Sequence, residues 1–155
     1  MLYLPPELKF TYLAKNSMDL AADTYVHVFG MPPWNESWSH DLAKNRLLEI
    51  LNIPNSINII IQDIKELKVV GLVMGTCESW HHGRQFQIRE FLIHYEWRKR
   101  GLAKILLHKL QEEVKSKGVV ELYLSTSRKS EAYGFYTHHG FLESPEDALL
   151  RMQLV

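Results

Sequence analysis

The sequence predicts one α/β domain, a mixed sheet of about seven strands with helices on both faces. Three observations carry this. A β-branched run at 57–61 and a longer apolar run at 68–79 have the length and composition of strands. Apolar residues at 103, 106, 107, 110 and 114 share one face of a 3.6-residue period, which is helical. Turn-forming residues separate such segments in the order β-α-α-β-β-β-α-β-α-β-β, and 155 residues suit a single domain.

Alternation over 8–13 gives the first strand. Ser17 is placed to cap a helix with apolar residues at 18, 21, 22, 25 and 29, which Gly30-Met31-Pro32-Pro33 stops. A second helix covers about 39–51, with apolar positions 43, 47, 50 and 51, and Pro54-Asn55 ends it. Strands 57–61 and 68–79 form a hairpin, the second containing Gly71 and Gly75. After the turn His81-His82-Gly83-Arg84, strand 85–94 leads into a basic loop and helix 102–117, with Gly118 at its C′ position. Strand 119–125 comes next, then a short helix 128–138 capped by Ser127 and ended by Gly140. Phe141-Leu142 starts a strand, Ser144-Pro145-Glu146 turns, and 148–154 is the last strand.

Composition excludes several classes. Hydrophobic residues are 46% and charged residues 23%, the balance of a soluble globular chain. Lys plus Arg equals Asp plus Glu at 18 each, so no global field favours nucleic acid or a membrane surface. The N-terminus lacks a signal peptide's charged and apolar regions, and no run is long enough to span a bilayer. Cys77 has no partner for an internal disulfide and lies in an apolar run, which suits a buried thiol in a reducing compartment. A cytoplasmic location is expected.

The local chemistry concentrates at Arg98-Lys99-Arg100-Gly101-Leu102-Ala103-Lys104. No Ser, Thr, Asp or Asn caps the helix that starts there, so its first backbone N–H groups need acceptors. A phosphate group supplies them, and the helix dipole and the cations favour it. Gly101 lets backbone approach a ligand. The plainer reading is a solvated basic turn.

Arg98-x-x-Gly101-x-Ala103 resembles the Gln/Arg-x-x-Gly-x-Gly/Ala signature of the GNAT acyltransferase superfamily. Ala132-x-x-Phe135-Tyr136-x-x-x-Gly140-Phe141 is similar to that family's second signature, and the element order agrees over essentially all of 1–155. The resemblance implies a single N-acetyltransferase domain with a mostly antiparallel sheet, splayed between the strand before the basic loop and the next one. It implies acetyl-CoA as acetyl donor and an amine as acceptor. Backbone groups of Leu92, Ile93 and His94 would then hold the pantetheine arm, and those of Arg98, Lys99, Arg100, Gly101, Leu102, Ala103 and Lys104 the pyrophosphate end. Ser125, Lys129, Ala132 and Tyr133 would complete the cofactor side. Lys129 stands where the family often has Asn, a departure at one usual contact.

Aminolysis of a thioester needs a base for the amine, donors for the oxyanion and an acid for the thiolate. Glu90 is the base candidate because it interrupts an apolar strand; its alternative is a salt bridge with Arg89 or Arg84. Gln87, where some relatives place an acid, is able to orient water. Tyr136 is the acid candidate; its alternative is packing beside Phe135. Trp34, Trp38 and Trp80, with Glu36, are candidates to border a cationic acceptor, or else staple a loop. His81-His82 and His138-His139 lack metal-site spacing, so no metal is expected. The rival readings are a non-catalytic module that binds acetyl-CoA or a partner, and a nucleic-acid binder, which zero net charge opposes. A homodimer is left open.

Overall fold

A computed structural model describes residues 2–155. Its elements are β1 (Leu8–Tyr12), α1 (Met18–Phe29), α2 (His40–Leu51), β2 (Ser56–Asp63), β3 (Val69–Trp80), β4 (Gly83–Ile93), α3 (Leu102–Ser116), β5 (Val119–Tyr123) and α4 (Glu131–His138). The sheet runs β1-β2-β3-β4-β5, antiparallel throughout except for the parallel pair β4–β5. It is a mixed, mostly antiparallel sheet, as expected.

Alternation along the strands builds two cores. Ile57, Ile59 and Ile61 of β2 face a cluster closed by Leu102, Leu106, Leu110 and Val114 of α3. Ile60, with Leu72 and Met74 of β3, faces the other side, where α1 and α2 contribute Met18, Ala22, Tyr25, Val28, Ala43 and Leu47. Helices therefore cover both faces. Five buried side chains of α3, Leu102, Leu106, Leu107, Leu110 and Val114, hold that helix down. At about 1.5–3 kcal/mol each, their burial contributes roughly 10 kcal/mol.

The strand count is corrected from about seven to five among the described residues. The stretches expected as strands at 141–142 and 148–154 join no ladder, and 142–155 are exposed. Alternating apolar residues make a segment ready to pair, and pairing also needs an open edge within reach. Two caps are corrected too. The Ser17 hydroxyl donates back to the Ala14 carbonyl and does not cap α1. Helix α4 starts three residues later than the expected 128 because Ser130, not Ser127, accepts the Tyr133 N–H at 3.3 Å. Ser127 closes a turn by accepting the Lys129 N–H.

Two irregularities in β4 shape the site. Met74 pairs with Glu90 and Gly75 with Ile88, so Arg89 is an extra residue, a β-bulge. The bulge reverses the facing of everything after it: Ile88 lies in the α3 core, whereas Leu92 lies in the α1–α2 core. Gly75 sits beside it because a Cβ there would stand 2.1 Å from the Gln87 carbonyl oxygen and 2.5 Å from the Phe86 ring. The second irregularity is that β4–β5 pairing ends at Gln87–Tyr123, while β4 continues to Ile93. The two strands part there, leaving a gap along one edge of 88–93.

Candidate active site

The gap leads to the start of α3. A cleft of about 390 Å³ is lined by Ile93, Trp97, Arg98, Lys99, Gly101, Leu102, Ala103 and Lys104, with Phe135, His138 and His139 from the α4 end. Gly101 is the residue before the helix, at φ 77°, and no side chain caps it. The first intrahelical bond is Ile105 N–H to Gly101 O at 3.2 Å, so the N–H groups of residues 101–104 precede the helix ladder. A Cβ on Gly101 would meet nothing within 4 Å, so the approach to those amides is open. Lys99 also has positive φ, 62°, and Arg100 turns back over the Trp97 ring at 4.7 Å. An unpaired cradle of amides with Arg98, Lys99 and Lys104 at its rim suits a phosphate-bearing ligand.

In the strand part of the cleft, the His94 N–H donates to Val70 O at 2.8 Å. Successive N–H groups alternate sides along a strand, so that of Ile93 points to the opposite edge, into the gap. The Ile93 carbonyl on that edge accepts from Arg98 Nε at 3.4 Å. Of the three backbone candidates, Ile93 alone lines the cleft; Leu92 and His94 are buried beside it. The second-signature candidates are less well placed. Ser125 and Lys129 are exposed and Ala132 is half-buried, while Tyr133 gives its hydroxyl to Glu143 at 3.0 Å. Phe135 is the residue of α4's middle that lines the cleft.

On the opposite face of β4, Glu90 is 6% exposed and its Oε1 accepts from Arg46 Nε at 2.5 Å and from the Tyr25 hydroxyl at 3.0 Å. Neither Arg89 nor Arg84 is its partner; Arg89 Nε donates to Thr76 Oγ1 instead. Burial pushes the Glu90 carboxyl above the usual carboxylate range, against the pull of Arg46 and Tyr25, and nearby Glu36 adds to the rise. Glu90 Oε2 accepts no hydrogen bond among the described residues, and Asn58 Oδ1 is the buried side-chain atom without a partner. Glu90 therefore keeps one oxygen free at the edge of a buried ion pair.

Arg46 and Tyr25 were not candidates in the sequence. Arg46 carried a readable sign, a charge three residues after Ala43 and four before Ile50, on the buried stripe of α2. Tyr25 was legible only as an apolar position of α1, and its hydroxyl role needed the fold.

Tyr136 is buried, its ring against Phe91, Phe135 and Phe141. Burial, with the Glu90 charge second, pushes its phenol well above the ordinary value, so it stays protonated at neutral pH. Trp38 meets Tyr25 edge-on at 5.1 Å and donates to Glu36 Oε1 at 2.9 Å. Trp34 packs on Phe29 and lies under Arg98 at 5.6 Å. The 31–39 loop thus reaches both the Glu90 pocket and the basic loop. Gln87 Oε1 lies 3.5 Å from the Tyr123 hydroxyl, which donates to Glu78 Oε1 at 2.9 Å, where the strands part. Trp80 is elsewhere, 53% exposed at the β3–β4 turn opposite Gly83, and does not join this group. No group of three or more His, Cys, Asp or Glu stands together among the described residues. None of the described helices is long and apolar enough to cross a membrane.

A family profile for the GNAT acetyltransferase domain matches residues 58–143, from β2 through α4. The chain belongs to the GNAT acetyltransferase family. Its fold is similar to that of a possible acetyltransferase from Clostridium difficile 630, at 14% identity and TM-score 0.79, covering 96% of this chain and 98% of that one. It is also similar to glucosamine-6-phosphate N-acetyltransferase from Arabidopsis thaliana, at 17% identity and TM-score 0.69, covering 94% and 99%. A third likeness is to an aminoglycoside acetyltransferase from an uncultured soil metagenomic sample, at 19% identity and TM-score 0.72, covering 96% and 97%. No curated protein matches the chain in sequence.

Proposed function

We propose that this chain transfers an acetyl group from acetyl-CoA to a primary amine of a small molecule or peptide, by direct attack in a ternary complex. The observation that carries the reading is the uncapped start of α3, open at Gly101, at the mouth of the gap where β4 and β5 part. The pyrophosphate would bind the amides of 101–104, and the pantetheine arm would follow the free edge at Ile93. Related folds named for glucosamine-6-phosphate and for aminoglycosides act on amines, which supports an amine acceptor without choosing one.

The chemistry needs few further parts. The amine lone pair attacks the thioester carbonyl carbon as its proton passes to Glu90 Oε2, directly or through water. The Ile93 N–H is aimed at the gap and would donate to the oxyanion. When the C–S bond breaks, the Tyr136 hydroxyl would protonate the departing thiolate. Trp34, Trp38 and Glu36 would border the acceptor. Holding both substrates in one cleft supplies much of the acceleration.

The test is acetyl-CoA binding followed by free-thiol release across a panel of amines. Saturating acetyl-CoA should raise the melting temperature, by roughly 5–10 °C at a hundredfold excess over Kd. At least one amine should then release CoA well above the hydrolysis background. A melting curve indifferent to acetyl-CoA sinks the reading. Binding without release by any amine would favour a module that holds acetyl-CoA without turning it over.

A further inference from the structure

The sheet face that α1 and α2 cover is apolar at Leu72 and Met74 of β3 and turns polar beyond them. Alternation from Met74 puts Thr76 and Glu78 on the same side. On β4, Phe86 and Ile88 belong to the α3 core, so Gln85 and Gln87 also face the α1–α2 side. Tyr123 of β5 joins them through its hydroxyl. Glu90, with Tyr25 and Arg46, stands at one end of this polar strip. Exposed Glu78 stands at the other.

Glu78 is held as an oriented carboxylate. Its Oε1 accepts from Gln85 Nε2 at 2.7 Å and from the Tyr123 hydroxyl at 2.9 Å. Those two bonds keep its carboxyl below the usual carboxylate range, so it is ionised at neutral pH. Its Oε2 accepts no hydrogen bond, and Glu78 forms no ion pair, among the described residues. Arg89, the bulge residue, adds a weaker pull and gives its Nε to Thr76 Oγ1 at 3.3 Å instead. A fixed negative charge with an open oxygen, on the face that carries Glu90, suits a cation.

We propose that Glu78 binds a second positive charge of the acceptor, and that the acceptor is therefore a linear amine with a basic nitrogen at each end. This rests on the acetyl-transfer reading above. Geometry sets the length. Met74 pairs with Glu90, and a strand rises about 3.3 Å per residue, so Glu78 lies about 13 Å along the sheet from Glu90. With each nitrogen about 3 Å from its carboxylate, a bridging acceptor has its nitrogens roughly 10 Å apart. The reacting end lies neutral at Glu90 Oε2, facing the gap, while the far end stays protonated at Glu78. Gln87 lies between and offers its amide oxygen to an N–H in the middle of the chain. Gln85 and Tyr123 are positioning residues that aim the Glu78 carboxylate.

The test compares kcat/KM, from free-thiol release by acetyl-CoA, for linear α,ω-diamines of increasing length, each against the monoamine of the same chain. Per reactive end, the diamine should exceed its monoamine about three- to tenfold at the best length. Diamines too short to span the strip should show no advantage. Glu78→Gln keeps an oxygen for Gln85 and Tyr123 and loses the charge, so the ratio should fall to near one at every length. Tyr123→Phe removes one of the two holds and should lower the ratio part of the way. The wild-type length series stands on its own if a variant folds poorly. An ω-amino acid of the best length should be a poorer acceptor than the monoamine; if it is a better one, Arg89 governs the strip and the proposal falls. Ratios of one in the wild type, with monoamines turned over, overturn the role of Glu78 and leave acetyl transfer standing. An advantage that survives Glu78→Gln puts the second charge elsewhere and equally overturns it. Release of CoA by no amine overturns both readings together.

Discussion

At the start of α3 the polar groups offered to a ligand are backbone amides of consecutive residues, set by a turn with left-handed Lys99 and Gly101. Around Glu90 they are side chains from three elements: Arg46 lies 44 positions away in sequence and Tyr25 lies 65. The first half exists as soon as a short stretch takes its local conformation. The second exists only when α1 and α2 dock on β4 and the bulge at Arg89 turns Glu90 toward them. A main-chain site tolerates most side-chain changes and fails when something occupies its space or opposes its charge. A side-chain site is tuned by burial, so single atoms and pH act on it.

Tyr136 stands between the halves and should show the largest effect. It shares α4 with Phe135, which lines the cleft, and its phenol feels the Glu90 charge. Tyr136→Phe keeps the ring contacts with Phe91 and Phe141. Turnover should fall by about 10²–10⁴, the usual worth of a general acid, with acetyl-CoA binding and melting temperature nearly unchanged. A folded Phe variant with wild-type turnover removes the acid role, unless product release is shown to limit the rate.

Next in size is the amide cradle. Gly101→Asp adds a negative side chain beside the amides, in a place where a Cβ clashes with nothing. The fold should survive at a cost of about 1–2 kcal/mol for a side chain at positive φ. The melting shift given by acetyl-CoA should vanish, while Gly101→Ala, with the same backbone cost and no charge, should keep most of it. Equal loss in both variants would mean the backbone conformation, not electrostatics, governs binding.

This difference also explains what could be read in the sequence. The missing cap and the glycine at 101 are local facts, and the structure keeps them. Position 90 was legible as a charge in an apolar strand, but its partner was not, because spacing says nothing about which helix docks above it. The bulge left a trace: the core residues Phe86 and Ile88 are even-numbered, whereas Phe91 and Ile93, which meet the same core, are odd. Ser127 and Ser130 are equally good caps on composition, and only the path of the chain after β5 selects the second. The residues at 148–154 alternate, but the stretch joins no ladder, because alternation alone does not supply an edge to pair with.

The smallest effect tests whether burial or Arg46 governs Glu90. A carboxyl raised above its unfolded value of about 4.3 binds its proton more readily in the folded chain. Its contribution to stability is therefore complete below that value and is lost as pH rises through the higher folded value. Gln at this position has no charge to bury and still accepts from Arg46 and Tyr25. The melting temperature of Glu90→Gln minus that of wild type should thus increase as pH goes from about 4 toward 7, and level off once wild-type Glu90 is fully ionised. Each pH unit of elevation corresponds to about 1.4 kcal/mol, or about 3–6 °C for a chain of this size. Paired melting curves at matched ionic strength measure it. A difference that moves toward wild type with rising pH would mean that Arg46, whose side chain is 39% exposed, outweighs burial. Glu90 would then be a carboxylate across the whole range, ready to take a proton but too weak a base to hold it, and a water held near Gln87 would become the better relay.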